Sequence, residues 1–171
     1  MGTKFNNTNN RAILPGSFNP LHNGHEGLIR LAALDYEKVF VVVAVNDNKK
    51  YMVTLNQRFN VVKKFVDFSD LRNVEVLKLE PGKTIPELAF ELDVENIVRG
   101  TKHQTVPLDE SQLADYYLEY NKKLNFHYVS FADLNVTSSQ VRDLIAHKES
   151  IEGLVPESVR ADIEQLWKVG N

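Results

Sequence analysis

The sequence predicts an α/β fold: a doubly wound sheet of about five parallel strands with helices on both faces. Short runs rich in β-branched residues alternate with amphipathic stretches along the chain. Three of those runs are apolar nearly throughout, as strands covered on both sides must be, whereas one-sided antiparallel strands alternate. No internal repeat, long Pro/Gly linker or break in composition marks a second domain.

Taken in order, Arg11 to Leu14 reads as the first strand and Glu26 to Tyr36 as the first helix, with apolar residues at helical spacing. Lys38 to Val45, which holds the longest apolar run, is the second strand. Leu55 to Phe68 is a helix, Val74 to Leu79 a strand, and Ile85 to Leu92 a short helix. Glu95 to Val98 is the fourth strand, followed by a helix over Ser111 to Leu124 and a strand over Asn125 to Ser130. Ser138 to His147 is helical, and a last helix follows Pro156. Such sheets have right-handed crossovers and bind ligands outside the carboxyl ends of the strands, where the strand order reverses. The polar, Asn-rich residues 1–10 cannot bury enough apolar surface to order themselves and read as a flexible leader, which leaves 11–171 as one domain.

Composition narrows the function. With 43% hydrophobic and 25% charged residues, the chain is an ordinary globular domain. Its 20 Lys and Arg against 23 Asp and Glu give no bulk positive field for nucleic acid, which favours a small-molecule substrate. The lack of cysteine excludes disulfides, thiolate metal sites and thiol catalysis, and it suits a reducing cytoplasm. The apolar run Val39 to Val45 is far too short to span a bilayer, and no signal segment opens the chain, so no membrane partner is expected.

Chemistry-bearing residues gather after the strands. The first strand runs into Pro15-Gly16-Ser17-Phe18-Asn19-Pro20-Leu21-His22-Asn23-Gly24-His25, just before a helical pattern. Asn23 and Glu26 are spaced as a capping box, which would put His25 in the first turn beside unpaired backbone N–H groups. Such a helix start attracts phosphate and disfavours protonation, so His25 is expected as a neutral hydrogen-bond donor. A zinc site on His22 and His25 would lack a third ligand nearby. After the second strand come Lys49 and Lys50, either of which could meet a phosphate as a point charge. After the fourth come Arg99, Gly100, Thr101 and Lys102, at the expected reversal of strand order. After the fifth, Val136-Thr137-Ser138-Ser139 opens a helix, with Thr137 and Gln140 again spaced as a capping box and Arg142 one turn in. Each cluster also has a plainer structural reading as a turn, a cap or an ion pair.

Together these residues resemble the nucleotidyltransferase superfamily, with its histidine motif (HxGH) after the first strand and its Ser/Thr-rich motif opening a late helix. Within it the chain is most similar to the bacterial phosphopantetheine adenylyltransferases, through Pro15-Gly16-Ser17-Phe18, Asn73-Val74-Glu75-Val76, Val98-Arg99-Gly100 and Leu154 to Val159. The resemblance implies a Rossmann-like sheet, commonly a homohexamer, that transfers AMP from ATP to 4′-phosphopantetheine with Mg2+, giving dephospho-coenzyme A and pyrophosphate in coenzyme A biosynthesis. It also implies residue roles. Ser17 and Phe18 would touch both substrates, His25 would steady the α-phosphate with His22 beside it, and Lys49 would hold the acceptor phosphate. Ile85 and Arg99 would contact the pantetheine substrate. Gly100, Thr101 and Lys102, with Asp133 to Ser139 (among them Val136, Thr137 and Ser138), would contact ATP. The chain departs from the family's usual residues at Asn19, His22, Lys102, Leu113-Ala114 and Asp133. Two other readings compete: a nicotinate mononucleotide adenylyltransferase, which shares the histidine motif but must stack a pyridine ring, and a regulatory module that binds nucleotide without turnover. No carboxylate cluster marks a fixed metal site, so magnesium is expected to arrive with ATP.

Overall fold

Five strands form the sheet: β1 (Arg11–Gly16), β2 (Lys38–Val43), β3 (Val74–Lys78), β4 (Asn96–Thr101) and β5 (Asn125–Ser130). They lie in the order β3-β2-β1-β4-β5, with all neighbours parallel. The connecting helices are α1 (Asn23–Asp35), α2 (Leu55–Phe68), α3 (Ile85–Glu91) and α4 (Leu108–Tyr120). After β5 come α5 (Ser138–Ala146), a 3-10 turn at Glu157–Val159 and α6 (Arg160–Lys168). This computed structural model describes residues 10–47, 49–101, 106–130 and 136–168. Residues 1–9 of the proposed leader, Lys102 and Asp133 lie outside the described residues, while Asn10 O accepts from the Glu37 N–H at 2.9 Å.

The alternation of the strands explains the two layers of helices. Ala12 and Leu14 of β1 join Val39, Val41 and Val43 of β2 in one core, while Ile13, Phe40 and Val42 join a second core on the opposite face. The first core is closed by α1, α2, α5 and α6, through residues such as Ile29, Val62, Phe65, Val141 and Ile163. The second is closed by α3 and α4, through Ile85, Leu88, Ala89 and Tyr117. Strands with an apolar side chain at every position are therefore required here. Reciprocal capping boxes, Thr54 with Gln57 and Thr84 with Glu87, start α2 and α3.

The element boundaries differ from the sequence reading where pairing or capping decides them. Val45 does not extend β2; it is 48% exposed beyond the last paired residue, Val43. β4 continues to Thr101 because Arg99, Gly100 and Thr101 pair with Tyr128, Val129 and Ser130 of β5, so Arg99 sits in the strand and not after it. α4 starts at Leu108 and ends at Tyr120, a few residues before the span expected for it.

The register also creates a crevice. β1 pairs with β2 along its length, as far as Gly16 with Val43, yet it pairs with β4 only at Ala12 with Asn96 and Ile13 with Ile97. Beyond those pairs the carboxyl ends of β1 and β4 part, at the reversal of strand order where such sheets bind their ligands.

Phe65 is 1% exposed between α2 and the sheet. Phe65→Ala is expected to destabilise the fold by about 3–5 kcal/mol, because the cavity left behind adds to the lost burial. Urea denaturation followed by emission of the single, 95%-shielded tryptophan, Trp167 (5% exposed), measures this directly.

Candidate active site

The turn between β1 and α1 is built around two bare α-carbons. A Cβ on Gly16 would stand 2.9 Å from the Phe18 ring, and one on Gly24 would stand 2.8 Å from the His22 ring. Both distances are closer than side-chain packing tolerates, so a side chain at either position would displace the ring beside it. Phe18 itself takes a left-handed backbone, φ 46°, with its ring 1% exposed. Its side chain is a core group, and only its backbone is left to face a ligand.

The N-cap of α1 is His22, one residue before the Asn23 expected from spacing. The reason is chemical: an imidazole Nδ1 can accept as a carboxamide oxygen does. His22 Nδ1 accepts from the Gly24 N–H at 3.0 Å, and His25 Nδ1 accepts in return from the His22 N–H at 3.2 Å. Asn23 instead ties the helix start to the later chain, donating from Nδ2 to Gly153 O at 2.7 Å and from its backbone N–H to Leu154 O at 2.9 Å. The two imidazoles stack with centroids 3.8 Å apart, and Phe18 lies 4.9 Å from His25.

Burial holds His25 well below the usual imidazole range, and the charges of His22 and Lys49 add to the effect. His25 is therefore neutral at pH 7, and because Nδ1 accepts a hydrogen bond, its single proton resides on Nε2. The ring offers an N–H donor that does not need to charge. Lys49 is exposed on the turn after β2, where its N–H donates to Asn46 O at 2.9 Å, and its charge is felt at His25.

The second helix start joins the first. Thr137 caps α5, its hydroxyl accepting from the Gln140 N–H at 2.9 Å, which supplies the hydroxyl half of the expected box. Ser138 Oγ donates to Pro20 O at 2.8 Å, and Arg142 donates to Asn19 O at 2.6 Å and to Ser139 Oγ at 3.1 Å. Val136 is buried, 8% exposed. These bonds set the first turn of α5 against the β1–α1 turn, so two helix N-termini share one edge of the crevice, an arrangement suited to phosphates. Ser138 has given its proton to Pro20 O, whereas Ser139 Oγ accepts from Arg142 and keeps its own, so the Ser139 hydroxyl and the backbone N–H groups of that turn are the donors for a ligand.

Arg99 stands on the other side. It makes a fork with Glu110 of α4, Nε to Oε2 at 3.0 Å and Nη2 to Oε1 at 2.6 Å. Burial works against its charge, but the carboxylate outweighs it, and the guanidinium pKa is raised. Gly100 is exposed beside it, and Thr101 is buried at the strand end. Ile85, an implied contact to the pantetheine substrate, is 3% exposed and belongs to the second core, as does its neighbour Leu88. What the start of α3 can present is its backbone. Among the described residues no three His, Asp or Glu side chains gather as a metal site.

The chain is similar in sequence to proteins of known class. Residues 13–144 match the model of the cytidylyltransferase-like family. A phosphopantetheine adenylyltransferase from Lactobacillus gasseri is 32% identical over 163 residues, covering 94% of this chain and 96% of the relative. The chain belongs to this family. A phosphopantetheine adenylyltransferase from Streptococcus equi subsp. zooepidemicus is also 32% identical, over 90% of the chain and 92% of the relative. A crystal structure described as a candidate nicotinate-nucleotide adenylyltransferase from Vibrio parahaemolyticus superposes with a TM-score of 0.71 at 18% identity, over 94% and 96% of the two chains. That likeness concerns the fold.

Within this cytidylyltransferase-like frame, several residues around the site carry no local sequence signal. Arg58 of α2 is 1% exposed; it donates to Ser17 O, to Ala44 O at 3.0 Å and to Val53 O at 3.3 Å. Trp167 of α6 donates from Nε1 to Asn19 Oδ1 at 2.9 Å, and Glu110 holds Arg99. Each comes from a helix distant in sequence. Only the oddity of an arginine at an inward position of a helical pattern could have pointed to Arg58.

The state of His25 has a signed consequence. The native protein keeps it neutral, whereas the unfolded chain takes up a proton below about pH 6.5, so acid favours unfolding through this group. The stability of the wild type relative to His25→Asn is expected to fall as pH drops below about 6.5 and to be constant above about 7.5. Urea denaturation of both proteins at stepped pH measures the difference; a constant gap down to pH 5 would contradict the neutral buried ring.

Proposed function

We propose that the protein is a pantetheine-phosphate adenylyltransferase, which transfers AMP from ATP to 4′-phosphopantetheine and releases pyrophosphate. One observation carries the reading: a near full-length likeness to phosphopantetheine adenylyltransferases coincides with two helix starts and a neutral histidine gathered at one crevice. An acceptor phosphate oxygen attacks the α-phosphorus of ATP in line, and pyrophosphate leaves toward the start of α5. No general base is needed, because a phosphate monoester is already ionised at neutral pH. Catalysis then rests on positioning and on donors that meet the growing charge. The Nε2–H of His25 is assigned to the α-phosphate, Lys49 to the acceptor phosphate, and Ser17, the Phe18 backbone, His22 and Gly100 to Lys102 to the nucleotide.

Arg99 is assigned to the pantetheine acceptor, with Glu110 holding its Nε and Nη2 and so fixing the plane of the guanidinium. Magnesium enters with ATP, where it offsets phosphate charge, and no side chain of this protein is assigned to it. We extend the proposal to a cytoplasmic homo-oligomer, as the resemblance implies; Phe90 of α3 and Tyr120 of α4, 81% and 61% exposed, offer apolar surface for subunit contact. The nicotinate mononucleotide reading is weaker here. Trp167, the single tryptophan, is 5% exposed and bonded to Asn19, so it offers no face for a pyridine ring.

Pyrophosphate release from MgATP is expected with 4′-phosphopantetheine and not with nicotinate mononucleotide or without acceptor. Release with the mononucleotide alone would replace the substrate, and tight ATP binding without release would favour the regulatory module. With the pantetheine acceptor, His25→Ala is expected to lower kcat by about a hundredfold or more, in line with losing one transition-state donor. Lys49→Ala should act mainly on KM for the acceptor, which steady-state kinetics would separate from kcat.

A further inference from the structure

The loop after β2 carries a tyrosine whose hydroxyl reaches across to the loop after β1. Tyr51 Oη lies 2.9 Å from Ser17 Oγ, and it accepts from the Asn46 N–H, also at 2.9 Å. Its ring lies under the Arg58 guanidinium, 4.2 Å from Cζ to the centroid, and Arg58 in turn donates to the carbonyls of Ser17 and Ala44. Tyr51 and Arg58 thus hold the two loops that carry Ser17 and Lys49 at a set distance. The Arg58 terminal nitrogen Nη2 is buried with no partner among the described residues, so this guanidinium is held in place by packing and by the carbonyls it serves.

A phenol has one proton and can accept at the same oxygen. With the Asn46 N–H donating into Oη, the Tyr51 proton is best used toward Ser17 Oγ, which leaves the Ser17 proton for an acceptor in the crevice. The chain of donors, Asn46 N–H to Tyr51 O–H to Ser17 O–H, polarises in one direction, and each bond strengthens the next. We propose that Tyr51 is a positioning residue that orients the Ser17 hydroxyl as a donor to a reacting phosphate oxygen, with Arg58 fixing both loops from beneath. This rests on the adenylyl-transfer reading above and adds to it a specific orientation of Ser17. No part of the sequence pattern around Lys49 requires a tyrosine two residues on.

The test is a double-mutant cycle on the full chain: wild type, Tyr51→Phe, Ser17→Ala and the double variant. Each is measured for kcat and for the KM of MgATP and 4′-phosphopantetheine by pyrophosphate release, for MgATP affinity by calorimetry, and for thermal midpoint. Tyr51→Phe removes one hydroxyl and keeps the ring under Arg58, so a melting temperature close to wild type is expected. Loss of an oriented donor to a phosphate oxygen predicts a kcat about tenfold lower and a measurably weaker MgATP affinity for Tyr51→Phe, with the KM of the acceptor little changed. The double variant should be no slower than Ser17→Ala, because Tyr51 acts through that hydroxyl. Unchanged or raised kcat in Tyr51→Phe would mean that Ser17 donates to the tyrosine, and multiplicative losses would mean that Tyr51 acts elsewhere; either overturns the proposal. If wild type turns over neither acceptor, the adenylyl-transfer reading fails by itself. The cycle is then decided on MgATP affinity, where equal losses in Ser17→Ala and the double variant, with a loss in Tyr51→Phe, uphold the orientation, and no loss or independent losses overturn it.

Discussion

The site depends on how the carbonyl oxygens of the β1–α1 turn are satisfied. This stretch leaves the sheet and has not yet entered a helix, so its peptide groups need partners from elsewhere. Arg58 of α2 takes the Ser17 carbonyl, Arg142 of α5 that of Asn19, and Ser138 that of Pro20, while Trp167 of α6 takes the Asn19 side chain. Three helices from the first core therefore fix a single turn. The same bonds engage oxygens whose negative ends would repel a phosphate, so holding the loop and preparing it for an anion are one arrangement.

The local field is accordingly unlike the bulk charge. The chain is formally −3, yet Lys49, Arg58, Arg99 and Arg142 converge on the carboxyl ends of β1, β2 and β4, with two helix starts among them. Among the described residues Glu110 is the carboxylate paired with this group, and it is committed to Arg99. Net charge bears on bulk partners such as nucleic acid, whereas a small anion responds to a few oriented donors at close range.

This distinction explains what could be read from the sequence. The alternation of strand and helix was legible because each element carries its own period, and the two-sided burial of Val39 to Val43 follows from continuous apolar character. The strand-end clusters were legible because topology alone brings strand ends to one edge. Arg58, Tyr51, Glu110 and Trp167 were not, since each acts through a partner far away in sequence and none sits in a motif. The cap of α1 was misplaced by one residue because spacing favoured Asn23, while the structure uses a histidine as acceptor and frees Asn23 for Gly153 and Leu154. Ile85 shows the reverse limit: the resemblance implies a substrate contact at that position, and burial of its side chain in the core is not visible from the position alone.

Several local costs fall on this one turn. Phe18 holds a left-handed backbone, His25 is kept from its proton, and Arg58 is buried with an unpartnered N–H. A buried unsatisfied donor alone costs on the order of 1–3 kcal/mol. None of these would persist in a turn left to itself. They persist because the turn is itself part of the first core through Phe18 and Leu21, so the burial gained there offsets strain at the crevice. A relaxed turn with charged imidazoles and solvated arginine would be more stable locally, and it would also spread its donors toward water. In the folded turn the protein already fixes these groups in direction, so its donors need little rearrangement when charge develops on a phosphate.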